Sequence, residues 1–541
     1  MGRNVTLLVL LAAVLALPFC LRTKTEHAVA GAQDTLVIIS PHNEAIRHEF
    51  EAGFKKWYLA RTGRVPGFDW RLIGGTSEIN RYLEGEYAAA FQNHWTQELG
   101  RNWSGAVAAG FADAKLAKDA PAEVREAREA FLASSVGCGI DLFFGGGPYD
   151  FIVQARAGRL VKAGIEAAHP EWFIEEILPL KHAGDDFRDS QGRWFGAVLS
   201  SFGVVYNRDS LTRLGLPVPA QWTDLEDPRY FGQVALADPT KSGSMNKAFE
   251  NVLQQRIHRV VEARLATARF ASEDARKAAE KDAVAEGWLE GLRLLQLISA
   301  NARYFTDSAQ KVPIDVASGN CAAGMCIDFY GRQQVEALVR RAGSERMGFV
   351  APLGGTVYSV DPIGLLRGAP NAAMARSFME FVLSPEGQRL WNQKVGTEGG
   401  PERFALRRLP VRKDAYNEPG LAAKRSDPEE MPYAIAEPLV YRPEWTAGLF
   451  GELRFIMRVM CLDAHPEMTN AWREIIAAGQ PPEAVAMFTD LSAVSYAESM
   501  GRIKEALRAK DRVEELRLAN ELGEKFRAQY RRAAELAQSG R

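Results

Sequence analysis

The feature that most restricts the fold of this chain is a repeated local grammar: a short apolar run, a turn of glycine, proline or serine, then an amphipathic helix. "DTLVIIS" (34–40) is rich in β-branched side chains, the mark of a buried strand. The stretch after it carries Ile46, Phe50, Phe54 and Trp57 at helical spacing and ends at Gly63. "WRLIGGTSEINRYL" (70–83) repeats the pattern, with Gly74-Gly75 at the turn and Thr76 or Ser77 as N-cap. "GIDLFFGGGPYDFIVQARAGRL" (139–160), "GQVALADPTKSGSMNKAFENVLQQ" (232–255) and "GNCAAGMCIDFYGRQQVEALVRR" (319–341) do so again. Strands alternating with helices in this way predict an α/β sheet flanked by helices.

Two stretches depart from the grammar by placing extended segments side by side: "GRWFGAVLSSFGVVYNRDSL" (192–211) and "MGFVAPLGGTVYSVDPIGLL" (347–366). An alanine-rich helical insertion is expected over 84–135. From about residue 414 the strand signals fade, and Arg502 to Ala537 reads as an amphipathic helix. Its apolar positions are Ile503, Leu507, Val513, Leu516, Leu522, Phe526, Tyr530 and Leu536. The heptad is not sustained, so the expectation is a helix packed on its own domain rather than a coiled coil.

At 541 residues the chain exceeds a single core, and a net charge of −2 without a basic stripe argues against nucleic acid as partner. The N-terminus reads as an export signal over residues 1–30: an apolar run from Val5 to Leu21, then Ala28-Val29-Ala30 as a small-x-small cleavage site. An uncleaved membrane anchor is the alternative, since the run is nearly long enough to span a bilayer. Either way the protein is expected outside the cytoplasm. Cys321 and Cys326 could pair in such a compartment or remain buried thiols. Neither C-x-x-C nor H-E-x-x-H occurs.

The chemistry is carried by the turns. Helix N-termini have unsatisfied N–H donors and a partial positive charge, so they bind anions. In open α/β sheets ligands gather at the carboxyl ends of strands, where these turns lie. The candidates are Ser40 to Asn43, Gly74 to Ser77, Gly145 to Gly147, and Thr240 to Ser244. "GGGPYD" is neither a phosphate loop with its Gly-Lys-Ser/Thr nor a G-x-G-x-x-G fingerprint. No serine sits in G-x-S-x-G, and no nucleophile–base pair stands out. Four such turns without a cofactor motif point to solute recognition by main-chain donors.

"VIISPHNEAIRHEFEAGF", "GGTSEINRYL", "GIDLFFGGGPYDF", "FGAVLSSFGVVYNRDSL", "LADPTKSGS" and "SVDPIGLLRGAPNAAMARSFMEFVLSPEGQRLW" follow one another here. In that order they resemble the extracellular solute-binding proteins of ABC importers, and among these the ferric-iron-binding type, over roughly residues 34–412. The resemblance implies a two-lobed, type II periplasmic-binding-protein fold of the Venus-flytrap kind. Lobe one would hold 34–200 plus 360–412, lobe two 205–355, and 414–541 would add a C-terminal helical extension. The crossings would fall near Gly196 to Tyr206 and near Val357 to Gly364, and ligand would favour closure by touching both lobes.

Relatives that bind ferric iron use a histidine on the first turn, a glutamate after the third strand and two adjacent tyrosines. The matching places here hold Asn43 beside His42, then Gly146, then Phe329-Tyr330. Fe(III) is a hard cation that takes several anionic oxygen donors, and only Tyr330 and His42 would remain to hold it. Glycine for glutamate removes negative charge and bares N–H groups, which suits an organophosphate, phosphonate or carboxylate. Ser242-Gly243-Ser244 matches the turn where iron-binding relatives hold a synergistic anion. The expected ligand contacts are therefore Ser40, His42, Asn43, Gly75, Thr76, Ser77, Gly145, Gly146, Gly147, Thr240, Ser242, Gly243, Ser244 and Tyr330. The expected protein is a monomeric receptor without cofactor or catalysis that hands a small anionic solute, or an iron–anion complex, to a membrane permease. The alternative is a membrane-anchored sensor or scaffold built on the same two-lobed domain.

Overall fold

Each unit of the grammar folds locally. In the computed structural model, which describes residues 35–267, 269–417, 420–509 and 511–539, the first strand is Thr35–Ile39 and its helix Glu44–Thr62. The Asn43 side chain caps that helix by accepting from the Ile46 N–H at 3.1 Å. Ile46, Phe50 and Phe54, four residues apart, turn inward as one stripe, and Gly63 ends the helix at φ 70°. The export signal or anchor expected over residues 1–30 lies outside the described residues. Among the described residues no helix is long and apolar enough to cross a membrane.

The strands form two main sheets. The first runs, edge to edge, Leu409–Pro410, Trp194–Ser200, Ser359–Leu366, Leu142–Phe144, Thr35–Ile39 and Gly67–Arg71, with Leu160–Val161 paired beside Ser359–Leu366. The second runs Ala302–Thr306, Val234–Ala237, Ala323–Ile327, Phe202–Asn207 and Met347–Val350. Parallel pairs meet the strands that return antiparallel in both sheets. The chain passes from the first sheet to the second with Ser201 alone between Trp194–Ser200 and Phe202–Asn207. It returns between Met347–Val350 and Ser359–Leu366. This is the two-lobed α/β fold that the resemblance implies.

Both crossing strands are buried along their whole length, so the pass between lobes is continuous core rather than a surface linker. Ser201 is clamped there. Its N–H and hydroxyl both donate to Asp328 Oδ2, at 3.0 and 3.2 Å, and its carbonyl accepts from the Asp328 N–H at 3.0 Å.

A third passage leaves no mark in the sequence pattern. After Leu409–Pro410 joins the first sheet, Arg425 is held on that lobe by Asn392 Oδ1 at 3.1 Å. The chain then crosses near Tyr441, whose N–H donates to Ala183 O of lobe one while its hydroxyl donates to Glu250 of lobe two, both at 2.7 Å. The helices beyond it pack on the long helical pair of lobe two, Gly243–Thr267 and Glu273–Ala300. Trp288 donates to Val494 O at 3.0 Å, Gln296 to Phe488 O at 2.9 Å, and Trp472 to Asn301 Oδ1 at 2.9 Å.

The expected tail divides into Lys504–Arg508 and Arg512–Ser539. The latter buries Leu518, Leu522, Phe526, Tyr530, Ala533 and Ala537, whereas Val513 and Leu516 are 66% and 40% exposed. Small alanines, which a hydrophobic pattern weighs lightly, complete the inward stripe. The insertion expected over 84–135 also begins differently: a single helix, Thr76–Asn93, runs into its first part, and Gly105–Gly110 and Ala122–Ala133 follow. Cys321 and Cys326 are free buried thiols, and burial pushes the Cys321 thiol up to about 11.

Candidate functional site

Three of the strand-to-helix turns converge between the lobes on a cavity of 620 Å³. Lobe one contributes the starts of Thr76–Asn93 and Pro148–Ala157, and lobe two the start of Gly243–Thr267. Gly75 and Gly147 are extended N-caps without side chains on the cavity wall, although Glu78 takes the Gly75 N–H and Pro148 opens its helix without one. The lobes touch here. A Cβ on Gly75 would lie closer than 3.0 Å to the Lys241 carbonyl oxygen, and one on Gly243 would lie 2.6 Å from Thr76 Oγ1. Ser242 and Ser244 stand on the lobe-two side with their hydroxyls 3.1 Å apart.

Of the residues expected from sequence, His42, Gly75, Thr76, Gly146, Gly147, Ser242, Gly243, Ser244 and Tyr330 line this cavity. Ser40, Asn43, Ser77, Gly145 and Thr240 lie off its wall and shape the turns instead. Ser40 Oγ accepts from the His42 N–H at 3.1 Å, and Asn43 is spent as the helix cap. Ser77 is buried in the first turn of its helix. Gly145, at φ 92°, donates to Pro362 O at 2.8 Å and leaves no room for a side chain beside the His42 ring. The Thr240 hydroxyl donates to Asp238 at 2.6 Å.

His42 is built into the crossing. Its ring stands edge-on to Phe144 at 4.6 Å, and Nε2 lies 3.7 Å from Asp361 and 3.5 Å from the Arg408 guanidinium. Burial lowers its pKa, with Asp361 opposing, so the imidazole stays neutral. Arg408 is fully buried, pairs with Asp361 at 2.7 Å, bonds Ser200 and lies over the Phe329 ring at 4.3 Å. Burial alone would raise the Asp361 carboxyl, yet Arg408 and His42 hold it below its ordinary range. Burial pushes the Tyr330 phenol up to about 12, against a hydrogen bond from Gln310 at 3.0 Å. A neutral phenol, and an imidazole facing a guanidinium, form a poor donor set for Fe(III). Among the described residues no group of three or more His, Cys, Asp or Glu side chains is placed to hold a metal.

Several residues of the wall escaped the sequence reading. Lys247 lies one turn into the Gly243–Thr267 helix, 2.9 Å from Glu250, 3.7 Å from Asp185 of lobe one and 3.9 Å over the Tyr441 ring. Burial would lower this ammonium, but Asp185 and Glu250 hold it above its ordinary range. Asp150 accepts from Asn80 at 2.5 Å and lies 3.9 Å from Arg454; burial pushes its carboxyl up, with Arg454 opposing. Lys247 was within reach of sequence reasoning, because i+4 from Gly243 is the same helix face one turn on. Asp185, Tyr441, Gly448, Phe450 and Arg508 were not, since no local pattern ties them to the turns.

The wall carboxylates are largely engaged. Glu78 accepts from the Gly75 N–H at 2.7 Å, Asp186 pairs with Lys181 at 2.8 Å, Asp185 and Glu250 flank Lys247, and Asp361 holds Arg408. Asp307 is the exception. Four wall cations, Lys115, Arg156, Lys241 and Arg508, have no carboxylate within 4.0 Å among the described residues. Glu78, engaged only by a backbone N–H, and Asp307 share the wall with these four cations.

Known proteins supply the remaining comparison. The chain is 28% identical over 259 residues to an uncharacterized protein of Haemophilus influenzae, covering 47% of this chain and 61% of that one. It is 26% identical over 193 residues to the phosphoglycerate transport regulatory protein of Salmonella typhimurium, covering 36% of this chain and 39% of that one. Both matches span less than two thirds of the relative's own length. The periplasmic binding protein AfuA of Actinobacillus pleuropneumoniae, solved with fructose-6-phosphate, is similar with a TM-score of 0.44 at 16% identity, covering 71% of this chain and 88% of that one. Residues 150–397 match the family model for bacterial extracellular solute-binding proteins.

Proposed function

We propose that this protein is the exported receptor of an ABC import system, binding a small anionic solute between its lobes and passing it to a membrane permease. The observation that carries this reading is the meeting of helix starts from both lobes, two of them with glycine N-caps, with four cations that have no carboxylate within 4.0 Å around one cavity. Backbone donors at helix starts hold an anion without a dedicated side chain, and their partial charges add to the field of Lys241 and Arg156. Because Gly75 faces Lys241 and Gly243 faces Thr76 across the cleft, an anion seated there touches both lobes and favours the closed state. The phosphoglycerate named for the Salmonella typhimurium relative supports a phosphorylated acid as the solute class. Ferric iron is the weaker candidate on the donor set.

Calorimetric titration of the purified protein with phosphoglycerate, a phosphonate and ferric citrate tests the reading. Binding of the phosphorylated or phosphonate anion is the expected result; tight ferric binding with no response to either anion would overturn it. One observation favours a second reading: the Salmonella typhimurium relative is named a regulatory protein. In that version the same cleft reports its ligand to a partner, with residues 5–21 retained as an anchor. N-terminal sequencing of the mature protein separates the two, since cleavage after Ala30 releases a free receptor.

A further inference from the structure

One end of the cleft is built by parts of the chain that lie outside both sheets. Lys115 comes from the loop between Gly105–Gly110 and Ala122–Ala133 of lobe one, and Arg508 from the end of the short helix Lys504–Arg508. Both line the cavity, together with Gly448 and Phe450. Behind Gly448 lies Lys504, 7% exposed, with its Nζ 3.1 Å from where a Gly448 Cβ would be. Its polar neighbour is the Met500 thioether at 3.5 Å, a weak acceptor.

No carboxylate lies within 4.0 Å of Lys115, Lys504 or Arg508 among the described residues. Burial lowers the Lys504 ammonium, and Arg508 and then Lys115 lower it further against the opposing pull of Glu452. Glu452 is itself buried, and burial pushes its carboxyl up. Lys115 from one segment and the i,i+4 pair Lys504 and Arg508 from another thus bring three cations to one end of the cavity, Lys504 buried behind Gly448, with no carboxylate within 4.0 Å among the described residues. Like charges held together this way repel, and the repulsion is relieved when an anion enters.

We infer that Lys115, Lys504 and Arg508 form a second anion subsite in the cleft, so that the solute carries two anionic groups. One group would lie on the helix N-termini near Ser242 to Ser244 and the other against the C-terminal extension. The inference rests on the anionic-solute reading above. It also gives the extension a role in recognition, because the extension then supplies the wall that selects doubly anionic solutes.

Titration of the full chain with two probes tests it: phosphoglycerate, with a phosphate and a carboxylate, and glycerol phosphate, with the phosphate alone. The exposed pair Lys115→Gln and Arg508→Gln together should weaken phosphoglycerate binding at least tenfold and leave glycerol phosphate within twofold. Lys504→Met should weaken phosphoglycerate similarly while leaving the melting temperature of ligand-free protein unchanged or higher, because it removes a repelled charge. Equal weakening of both probes, or of neither, overturns the subsite, as does a lower melting temperature for Lys504→Met with unchanged affinity. If wild-type protein binds neither probe, the subsite falls, and if it fails to bind a phosphonate as well, the anionic-solute reading falls with it.

Discussion

Gly75→Ala isolates the contact on which closure depends. Gly75 has an ordinary extended backbone at φ −74°, so alanine is conformationally allowed and an open cleft accepts it. In the closed form the new Cβ would fall closer than 3.0 Å to the Lys241 carbonyl oxygen, a backbone atom that cannot rotate away. The lobes must then part by roughly 0.5 Å or more to restore ordinary contact. Overpacking of this kind costs about 1–3 kcal/mol, charged here to the closed state alone. Affinity for an anion that bridges the lobes should fall roughly 5- to 150-fold. The helix cap is nearly untouched, since alanine in place of glycine there costs about 0.5–1 kcal/mol and shifts the melting temperature by about 2 °C or less. Calorimetry with phosphoglycerate reads the affinity, and small-angle X-ray scattering reads the opening as a larger radius of gyration. Wild-type affinity together with an unchanged radius would refute the claim that Gly75 and Lys241 set the closed geometry.

Three further outcomes are expected. Lys247→Met strands Asp185 and Glu250 as buried, unpaired carboxylates and should remove about 3–5 kcal/mol from urea-measured stability; the wild-type contribution persists at and below neutral pH and fades only above the ordinary lysine range, because pairing raises the folded-state value. Burial pushes Asp328 up to about 6 from an ordinary 3.8, so its stability contribution is complete below the ordinary value and lost as pH rises through about 6, a span worth roughly 3 kcal/mol. Asp328→Asn should therefore flatten the dependence of melting temperature on pH between about 4 and 6, and an unchanged slope would show that the Ser201 clamp does not titrate. Tyr530→Phe loses the bond to Met460 O and the one from Gln296, both at 3.0 Å, and should lower stability by about 1–2 kcal/mol in urea titration without changing ligand affinity.

Much of the local structure could be read before any coordinates. The helix at Glu44–Thr62 follows from four apolar residues at helical spacing and a terminal glycine, whereas its cap Asn43 was expected to be a ligand contact. The direct step from Trp194–Ser200 into Phe202–Asn207 follows from two adjacent apolar runs with no room for a helix between them. The turns at Gly75, Gly147 and Gly243 were visible for the same reason: glycine before a helix start leaves a mark at fixed spacing. These features depend on neighbours a few residues apart, and a linear pattern contains all of them. The tail shows where the pattern misleads, because Val513 and Leu516 share the helical period yet face outward while alanines face in.

The chain alone thus determined an α/β fold of strand–turn–helix units joined through glycine-rich turns. Tertiary structure alone decided which turns meet, and what else meets them. Gly145 looks equivalent to Gly146 and Gly147 in sequence, but its N–H is spent on the carbonyl of Pro362, more than two hundred residues along the chain. Lys247 acquires its partners from positions 185 and 250, and the basic end of the cleft draws on positions 115, 504 and 508. The physical reason is range: hydrogen bonding and side-chain spacing act within a few residues, whereas the field of a cleft sums charges that only folding brings together.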